Sequence, residues 1–334
     1  MNMDTLLKST ARSLYLSARV LPRKIRKTFY CGYLLCRAAD TVADTNIIDG
    51  QKRLNLIKNF PKIIKDQDKT LISEFKTAIP KETDINAREK LLLDNIDLYL
   101  EEYNALNYEQ KKIILDVARA VCGAMEWDLT FFPSQDSDIL KAVFDDNATI
   151  NYCDQMGGEP GIFWAKLLLE GKQDDEFANN AKNIGRALQI TNILRDMPND
   201  IAIGRCYLPL TDLTNANLMP QDLLDKKTYK KLKPVVLKWI SWGVENLKSA
   251  PAFFVKIPKI KFGARAAVAW PVLWSLDTLY FISNAKNLLD KTQRVKISKK
   301  IIYLTILATP LYCLSNNLFN LIIKHKIAKL KKLF

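Results

Sequence analysis

Acidic side chains recur in phase along a helical stretch near the start of this 334-residue chain. In the segment RKTFYCGYLLCRAADTVADT, Tyr33, Arg37, Asp40 and Asp44 are separated by four, three and four positions. At roughly 100° per residue, these side chains lie within about 60° of one another around a helix axis. The flanking residues are mostly small or apolar, so the sequence predicts a buried helix that carries one narrow polar stripe.

A second segment, NIGRALQITNILRDMPND, repeats this arrangement with Gln189, Asn192, Asp196 and Asp200. Isoleucine, leucine and alanine occupy most positions between them. A helix that is apolar on its broad side is usually buried, so this polar stripe should point into the interior or into a cavity.

The two stripes together favour a bound divalent cation. An unpaired buried carboxylate costs on the order of several kcal/mol, and Arg37 and Arg195 offset only part of that charge. Mg²⁺ is a hard ion that binds carboxylate, amide, water and phosphate oxygens. One D-x-x-x-D pattern alone is usually a solvated helix face, but two with apolar flanks favour metal ions that bridge to a diphosphate.

The scarcity of histidine and the spacing of the cysteines argue against several kinds of catalytic site. The chain has one histidine, His325, which argues against a Ser-His-Asp triad, a Cys-His pair or a zinc site containing histidine. Its six cysteines form no C-x-x-C pair, and the first ten residues lack a secretory signal pattern. We therefore expect a reducing, cytoplasmic location.

Composition and periodicity predict an all-α protein with a single domain. Hydrophobic residues make up 48% of the chain, whereas there are only 11 glycines and 13 prolines. Long helices tolerate such sparse turn residues better than many-stranded sheets do. The predicted helices are 3–20, 24–45, 50–65, 86–104, 108–131, 137–150, 160–171, 175–199, 220–226, 228–249, 260–290 and 298–323. The glycines Gly157 and Gly158 predict a helix break.

The carboxyl-terminal part is apolar and then strongly basic. The apolar run in 301–323 is interrupted by Pro310 and by asparagines, so it predicts a core or interfacial helix rather than a spanning one. The lysine-rich tail after it could bind anionic lipid, and the whole chain has a net charge of +14. We expect peripheral attachment at the inner face of the membrane. Non-enzymatic binding of nucleic acid or membrane is the alternative from another functional class, although the ordered stripes are acidic.

The same residues resemble the squalene/phytoene synthase family over roughly 9–300. Asp40 to Asp44 and Gln189 to Asp200 resemble its two aspartate motifs. Three further segments resemble family motifs: Ala11-Arg12-Ser13-Leu14-Tyr15, Tyr152 with Gly157 to Gly161, and Gly204 to Pro209. The resemblance implies an isoprenoid-synthase-type helical bundle with a central cavity over residues 1–300, followed by a carboxyl-terminal helix and tail over 301–334.

The resemblance also implies a role for each matching residue. The Mg²⁺ ligands would be Asp40, Asp44, Asn192, Asp196 and Asp200, and the residues that bind substrate would be Arg12, Ser13, Tyr33, Arg37, Gln189, Arg195 and Arg205. Tyr33, Arg37 and Tyr152 would act at the reacting centre. Met197-Pro198 departs from the family pattern, and a proline can kink a helix, so the position of Asp200 is the least secure.

The implied reaction joins two farnesyl diphosphates head to head through presqualene diphosphate. An apolar, aromatic wall should shield the allylic cation, with candidates Phe131, Phe132, Phe163, Trp164 and Trp270. Arg294 to Lys300 resembles a segment associated with NADPH, with Lys296 and Lys299 as candidate contacts, which favours reduction to squalene. The alternative is phytoene or dehydrosqualene formation without reduction. No nucleic-acid partner is expected.

Overall fold

The computed structural model describes residues 2–45, 47–78, 87–132, 139–293 and 295–333, without the side chains of Arg12 and Ser13. Helices dominate these residues, which confirms the all-α class. The chain divides into two compact units. Unit 1 contains Met1–Phe131 and Phe163–Gln173, and unit 2 contains Phe132–Ile162 and Asp174–Phe334.

Unit 1 is built around one long buried helix. Its helices are α1 Met3–Thr10, α2 Arg12–Arg19, α3 Arg23–Asp44, α4 Gly50–Asp66, α5 Lys69–Thr77, α6 Ala87–Asp94, α7 Ile96–Asn104 and α8 Tyr108–Phe131. Helix α3 packs against α4, α7 and α8, and it buries 13 of its 22 residues. These contacts fix its rotation within unit 1 and therefore fix the direction of its polar stripe.

Unit 2 is arranged around a second long helix, α11. Its first elements are β1 Lys141–Val143, α9 Asp146–Cys153, a π-helical turn Asp154–Gly158 and α10 Glu159–Leu169, of which only the residues up to Ile162 belong to this unit. Then follow α11 Asp175–Ala202, β2 Arg205–Pro209, α12 Leu210–Asn215 and two 3₁₀ turns, Pro220–Leu224 and Lys226–Thr228. The last helices are α13 Tyr229–Leu247, α14 Ala250–Val255, α15 Phe262–Ser283, α16 Lys299–Leu307, α17 Thr309–Leu314 and α18 Asn316–Lys331. Helix α11 packs against α9, α13, α14 and α15.

Local capping explains where α11 begins. The Asp174 carboxylate accepts a hydrogen bond from the Phe177 backbone N–H at 2.8 Å. Asp175 and Glu176 follow in the first turn, where the positive end of the helix dipole favours acidic residues. These signals place the start of α11 at Asp175, as the sequence predicts.

Several predicted elements are wrong in detail. The predicted helix 137–150 contains β1, which pairs in parallel with β2 as Lys141 lies opposite Arg205; residues 133–138 lie outside the described part. The predicted helix 3–20 is divided at Ala11, and the helix 298–323 is divided into α16, α17 and α18. Pairing with a distant strand and tertiary packing decide these features, so local periodicity does not reveal them.

The predicted break at Gly157 and Gly158 is also wrong. The chain remains helical there and widens into the π-helical turn. A Cβ atom on Gly157 would lie 2.2 Å from the Gly185 carbonyl oxygen, and one on Gly185 would lie 2.0 Å from the Gly157 carbonyl oxygen. Glycine is therefore required here because two helical backbones touch, rather than because the helix ends.

Candidate functional site

The polar stripe of α3 forms as the sequence predicts. Between Gly32 and Asp44, the residues that are not buried are Tyr33, Cys36, Arg37, Asp40 and Asp44. Their neighbours Leu34, Leu35, Ala38, Ala39 and Val42 are 0% exposed. Over residues 32–44, the core of unit 1 thus covers α3 on every side except this one.

An ion pair neutralises part of the stripe. The Arg37 guanidinium donates to a carboxylate oxygen of Asp40, and both side chains are about one-quarter to one-third exposed. Burial acts to lower the Arg37 pKa, but the charges of Asp40, Tyr33, Asp44 and Glu89 outweigh it and raise that pKa. Glu89, on α6, is an acidic neighbour of this site that the sequence analysis missed.

Cys36 also lies on the stripe, although the sequence analysis did not include it there. It is three positions after Tyr33 and four before Asp40, so its phase was visible in the sequence. Burial, together with the charge of Asp40, raises the pKa of its thiol to about 12. The thiol is therefore protonated at neutral pH in the protein without a bound cation.

Asp40 and Asp44 lie where helix electrostatics disfavours them. Asp44 is the last residue of α3, and no basic residue lies in the last turn. The negative end of the helix dipole disfavours each carboxylate there by roughly 0.3–1 kcal/mol. Arg53, on α4, donates to the Ala43 carbonyl oxygen at 3.3 Å and so holds this helix end. The placement of the two acids is costly for α3 itself, which points to a role in binding a cation.

Aromatic rings extend the site at Tyr33. The Tyr33 ring stacks on Phe29 with centroids 6.1 Å apart, and Phe29 meets the edge of Trp164 at 4.9 Å. Phe163 lies 6.3 Å from Phe29, and a Cβ atom on Gly32 would come within 2.8 Å of its ring. Two of the predicted wall residues, Phe163 and Trp164, therefore lie in the same aromatic cluster as Tyr33.

The second stripe also forms, on α11. Gln189, Asn192, Asp196 and Asp200 are half-buried, between Ile190, Ile193, Leu194 and Met197, which are buried. Arg195 donates from Nε to a carboxylate oxygen of Asp196 at 3.1 Å. Helix α11 continues through Pro198 to Ala202, so Asp200 keeps its helical phase with Asp196.

The α11 stripe continues towards the start of the helix with basic residues that the sequence analysis missed. Lys182 and Arg186 lie in helical phase with Gln189, and both bind Asp154 in the π-helical turn. The Arg186 Nη2 atom is 2.9 Å from Asp154 Oδ2. Burial raises the pKa of Asp154, but the hydrogen bond and charge of Arg186, with Lys182, outweigh it and lower that pKa below its ordinary value.

Tyr152 lies in a buried aromatic cluster of unit 2. Its ring stacks on Tyr207 of β2 at 4.4 Å, and Phe132 meets Tyr207 edge-on at 5.2 Å. The Tyr152 hydroxyl donates to the Tyr207 hydroxyl at 3.4 Å, and the Thr149 hydroxyl donates to the Tyr207 carbonyl at 2.8 Å. Tyr207 is thus a second hydroxyl beside the predicted Tyr152.

The other predicted residues fall in several environments. Arg205 is buried at the first position of β2, and Trp270 is buried with its indole N–H donating to Thr309 at 2.9 Å. Phe131 stacks on Trp127 in unit 1 at 4.6 Å. Lys296 and Lys299 are exposed. The side chains of Arg12 and Ser13, and all of Arg294, lie outside the described part.

The described residues contain no compact metal-binding cluster and no cavity lined by the predicted site residues among those found. Within the described residues, no three His, Cys, Asp or Glu side chains lie together as a metal-binding group. Each stripe instead offers its own pair of in-phase aspartates. A cavity of about 460 Å³ between α15 and α18 of unit 2 contains none of the predicted site residues. That both stripes face one central cavity stays a prediction.

Comparison with known sequences gives a match over most of the chain. The family model for squalene/phytoene synthases matches residues 7–300, which include parts of both units. The chain is 26% identical to the squalene synthase of Schizosaccharomyces pombe over 208 residues, which are 61% of this chain and 43% of that protein. It is 24% identical to the 15-cis-phytoene synthase of Enterobacter agglomerans over 249 residues, which are 74% of this chain and 75% of that protein.

Comparison of folds agrees with the sequence match. A solved structure of TcSQS with the ligand E5700 has a TM-score of 0.77 and 18% identity, and it covers 99% of this chain and 96% of its own. Members of the matched family are prenyltransferases that join isoprenyl diphosphates head to head. The range matched by the family model includes both stripes. The chain therefore belongs to the squalene/phytoene synthase family.

Proposed function

We propose that this protein is a Mg²⁺-dependent prenyltransferase that condenses two isoprenyl diphosphates head to head. One observation carries the proposal: each of two long helices presents two aspartates and a paired arginine along its one uncovered side. Because the chain belongs to the squalene/phytoene synthase family, we interpret the aspartates as Mg²⁺ ligands and the arginines as diphosphate contacts. Both helices form as the sequence predicts, so the proposed site rests on residues that the fold holds in place.

The donor set fits Mg²⁺. Asp40, Asp44, Asn192, Asp196 and Asp200 offer only carboxylate and amide oxygens, which are hard donors. Mg²⁺ binds one or two carboxylates at a time and completes its shell with water and substrate phosphate, so a pair of aspartates on each helix is sufficient. When bound, the ion would stabilise negative charge on the departing diphosphate.

The arginines give the site its affinity for the diphosphate. Arg37 and Arg195 pair with Asp40 and Asp196, so each guanidinium already lies beside a proposed metal ligand. A metal ion on these carboxylates would free the guanidinium groups to bind phosphate oxygens, for which their planar fork is well suited. Gln189, Arg205, Arg12 and Ser13 are the further proposed diphosphate contacts.

Aromatic clusters in each unit would protect the allylic cation. Tyr33 forms one cluster of rings with Phe29 and Trp164, and Tyr152 forms another with Tyr207. Ring faces attract positive charge, and their apolar surface excludes water that would quench the cation. Tyr152 and Tyr207 also hold two hydroxyl groups close together, where they can orient a proton.

For the product we favour squalene, formed from farnesyl diphosphate through presqualene diphosphate with reduction by NADPH. The support is the resemblance of the segment that contains Lys296 and Lys299, both of which are exposed to solvent. The alternative is phytoene or dehydrosqualene, formed without a reductant. It draws support from the similarity to a phytoene synthase.

The test incubates purified protein with farnesyl diphosphate and analyses the extracted lipids by mass spectrometry. Parallel reactions contain Mg²⁺, Mg²⁺ with NADPH, or a chelator, and geranylgeranyl diphosphate replaces the substrate in a second series. Squalene that requires both Mg²⁺ and NADPH supports the favoured product. Dehydrosqualene or phytoene without NADPH supports the alternative, and the absence of any condensed product from both substrates would overturn the proposed activity.

A further inference from the structure

The cavity between α15 and α18 of unit 2 has an apolar part that reaches the surface. Its volume of about 460 Å³ falls in the range that is typical of small-molecule sites. The apolar part of its lining consists of Leu276, Leu321 and Ile322. Leu276 is buried, whereas Leu321 is 63% exposed, so the apolar lining extends from the protein interior to solvent. An apolar chain can therefore enter the cavity from outside.

Ionisable side chains complete the lining, and one of them is the only histidine of the chain, His325. Lys326 donates to Asp277 Oδ1 at 2.5 Å, and the Lys329 ammonium lies 3.9 Å from the centre of the Tyr280 ring. Among the described residues, the ring is the partner of Lys329, and no carboxylate pairs with it. The Lys326–Asp277 pair is neutral overall, so the cavity carries the positive charge of Lys329.

The second carboxylate oxygen of Asp277 lacks a hydrogen-bond donor. Oδ2 is buried, and no donor among the described residues reaches it, although the same carboxylate is ion-paired through Oδ1. A buried acceptor without a donor is unfavourable. Oδ2 would therefore stabilise a ligand that brings a hydroxyl group into the cavity.

The sequence around α18 favours an anion. From Lys291 to Leu333, which we call the carboxyl-terminal stretch, there is no aspartate or glutamate. Lys329 lies in the last turn of α18, where the negative end of the helix dipole stabilises it, so its position does not require a bound anion. The stretch also exposes leucines outside the cavity, including Leu307 and Leu311. A test must separate binding in the cavity from adsorption on these leucines.

We propose that the cavity binds a small amphiphilic anion, a molecule with an apolar chain and one phosphate or carboxylate group. The chain would contact Leu276, Leu321 and Ile322, while the anionic group would pair with Lys329 and accept a hydrogen bond from His325. An uncharged hydrocarbon fits less well, because it would cover polar groups without giving them a partner. A free inorganic anion fits less well because it leaves the apolar lining in contact with water.

The single histidine allows binding to be observed at one side chain. The untagged full chain is labelled with an isotope in the histidine ring, so that the imidazole signal in its NMR spectrum belongs to His325 alone. The probes are octyl phosphate and octanoate below their micelle concentrations, with octanol and inorganic phosphate as probes that each lack one half of the ligand. The two amphiphilic anions should move the signal saturably, and the other two should bind about tenfold or more weakly. Whichever anion binds more tightly identifies the preferred anionic group.

Three variants locate the binding site. Lys329→Gln should weaken binding of both amphiphilic anions about tenfold, because it removes the charge in the cavity. Its matched control is Lys324→Gln, which changes an exposed lysine of α18 that does not line the cavity. Ile322→Trp should abolish binding because the larger side chain fills the cavity, whereas Leu311→Gln, outside the cavity, should leave the affinity unchanged.

Three results would overturn the proposal. One is the absence of a saturable change in the His325 signal with either amphiphilic anion, and another is equal weakening in Lys324→Gln and Lys329→Gln. The third is loss of binding in Leu311→Gln but not in Ile322→Trp, which would assign the binding to the exposed leucines. Circular dichroism confirms that each variant is folded. These measurements do not depend on turnover, so they can succeed or fail independently of the proposed enzymatic activity.

Discussion

The aspartates of the two stripes are the residues on which the proposed chemistry depends. Asp40 and Asp196 are each beside an arginine, and each is only partly exposed. Without bound ligand, the neighbouring arginine neutralises the charge of each carboxylate. In the proposed complex with substrate, each carboxylate would also bind Mg²⁺. In the proposed site, each carboxylate would thus have two alternative cationic partners.

Asp40→Asn and Asp196→Asn should each lower turnover by about a hundredfold or more, because the amide is a weaker metal ligand and carries no charge. Steady-state product formation measures this effect, and circular dichroism should show unchanged helix content. Asp66→Asn is the control, since Asp66 is an exposed aspartate at the end of α4 that lies outside both stripes. Near-normal turnover in both stripe variants would remove them from the metal site.

The Asp154–Arg186 pair should make a stability contribution that depends on pH. Because the pKa of Asp154 is lowered in the folded protein, the pair stabilises fully above the ordinary aspartate pKa of 3.8. That contribution is lost as pH falls through the lowered value.

A double-mutant cycle with Asp154→Asn and Arg186→Gln should give a coupling energy of about 2 kcal/mol at neutral pH. Denaturant unfolding at a series of pH values measures it, and the coupling should shrink in acid. A coupling that is negligible at neutral pH, or that grows as pH falls, would contradict this assignment.

At the scale of elements, close contact of two backbones sets the position of α11. The reciprocal contact of Gly157 and Gly185 brings the π-helical turn against α11, near the level of Gln189. The Tyr152 cluster is carried by the helix that precedes this turn. The glycine contact thus links the helix that holds Tyr152 to the helix that holds the second stripe.

Gly185→Ala should destabilise the protein by about 1–3 kcal/mol, because its Cβ atom would overlap the Gly157 carbonyl. Chemical denaturation measures the loss. In the control Gly50→Ala, at the start of α4, the nearest atom to the added Cβ is 3.9 Å away, so that variant should be at least as stable as the wild type. Equal stability of the two variants would show that the helices can separate without cost.

The sequence predicts α3 and α11 well because both combine long helical periodicity with clear polar stripes. It does not reveal the Asp154 pair, because Asp154 lies on another element and only tertiary packing brings it to Arg186. The strands β1 and β2 were also missed, since each is short and its partner is distant in sequence. The phase of Lys182 and Arg186 with Gln189 was visible, and it was the available signal for the basic extension.

At the scale of the whole molecule, the carboxyl-terminal helices pack into unit 2. The Phe319 ring of α18 stacks on Phe254 at 3.9 Å. Arg265 is 0% exposed, and it donates to Asn316 as well as to the Ile257 carbonyl at 2.5 Å. The predicted boundary at residue 300 stays a prediction, but the helices after it cover buried side chains of the helices before it.

Removal of residues 301–334 should therefore destabilise the protein by more than about 3 kcal/mol or prevent folding, because it uncovers Phe254 and Arg265. The milder variant Thr309→Val keeps the side-chain shape but removes the acceptor of the Trp270 N–H, and it should cost about 1–3 kcal/mol. Denaturant unfolding measures both. A truncated chain as stable as the full chain would show that the tail is an independent appendage.

The carboxyl-terminal stretch without acidic residues also affects colloidal behaviour. In dilute buffer its lysines give neighbouring molecules like charges, and this repulsion keeps their exposed leucines apart. At an ionic strength of 0.1 M such repulsion is screened beyond about 10 Å. Added salt, which usually weakens contacts between charged proteins, should in this case promote clustering through the leucines, so the protein is expected to be most soluble at low ionic strength.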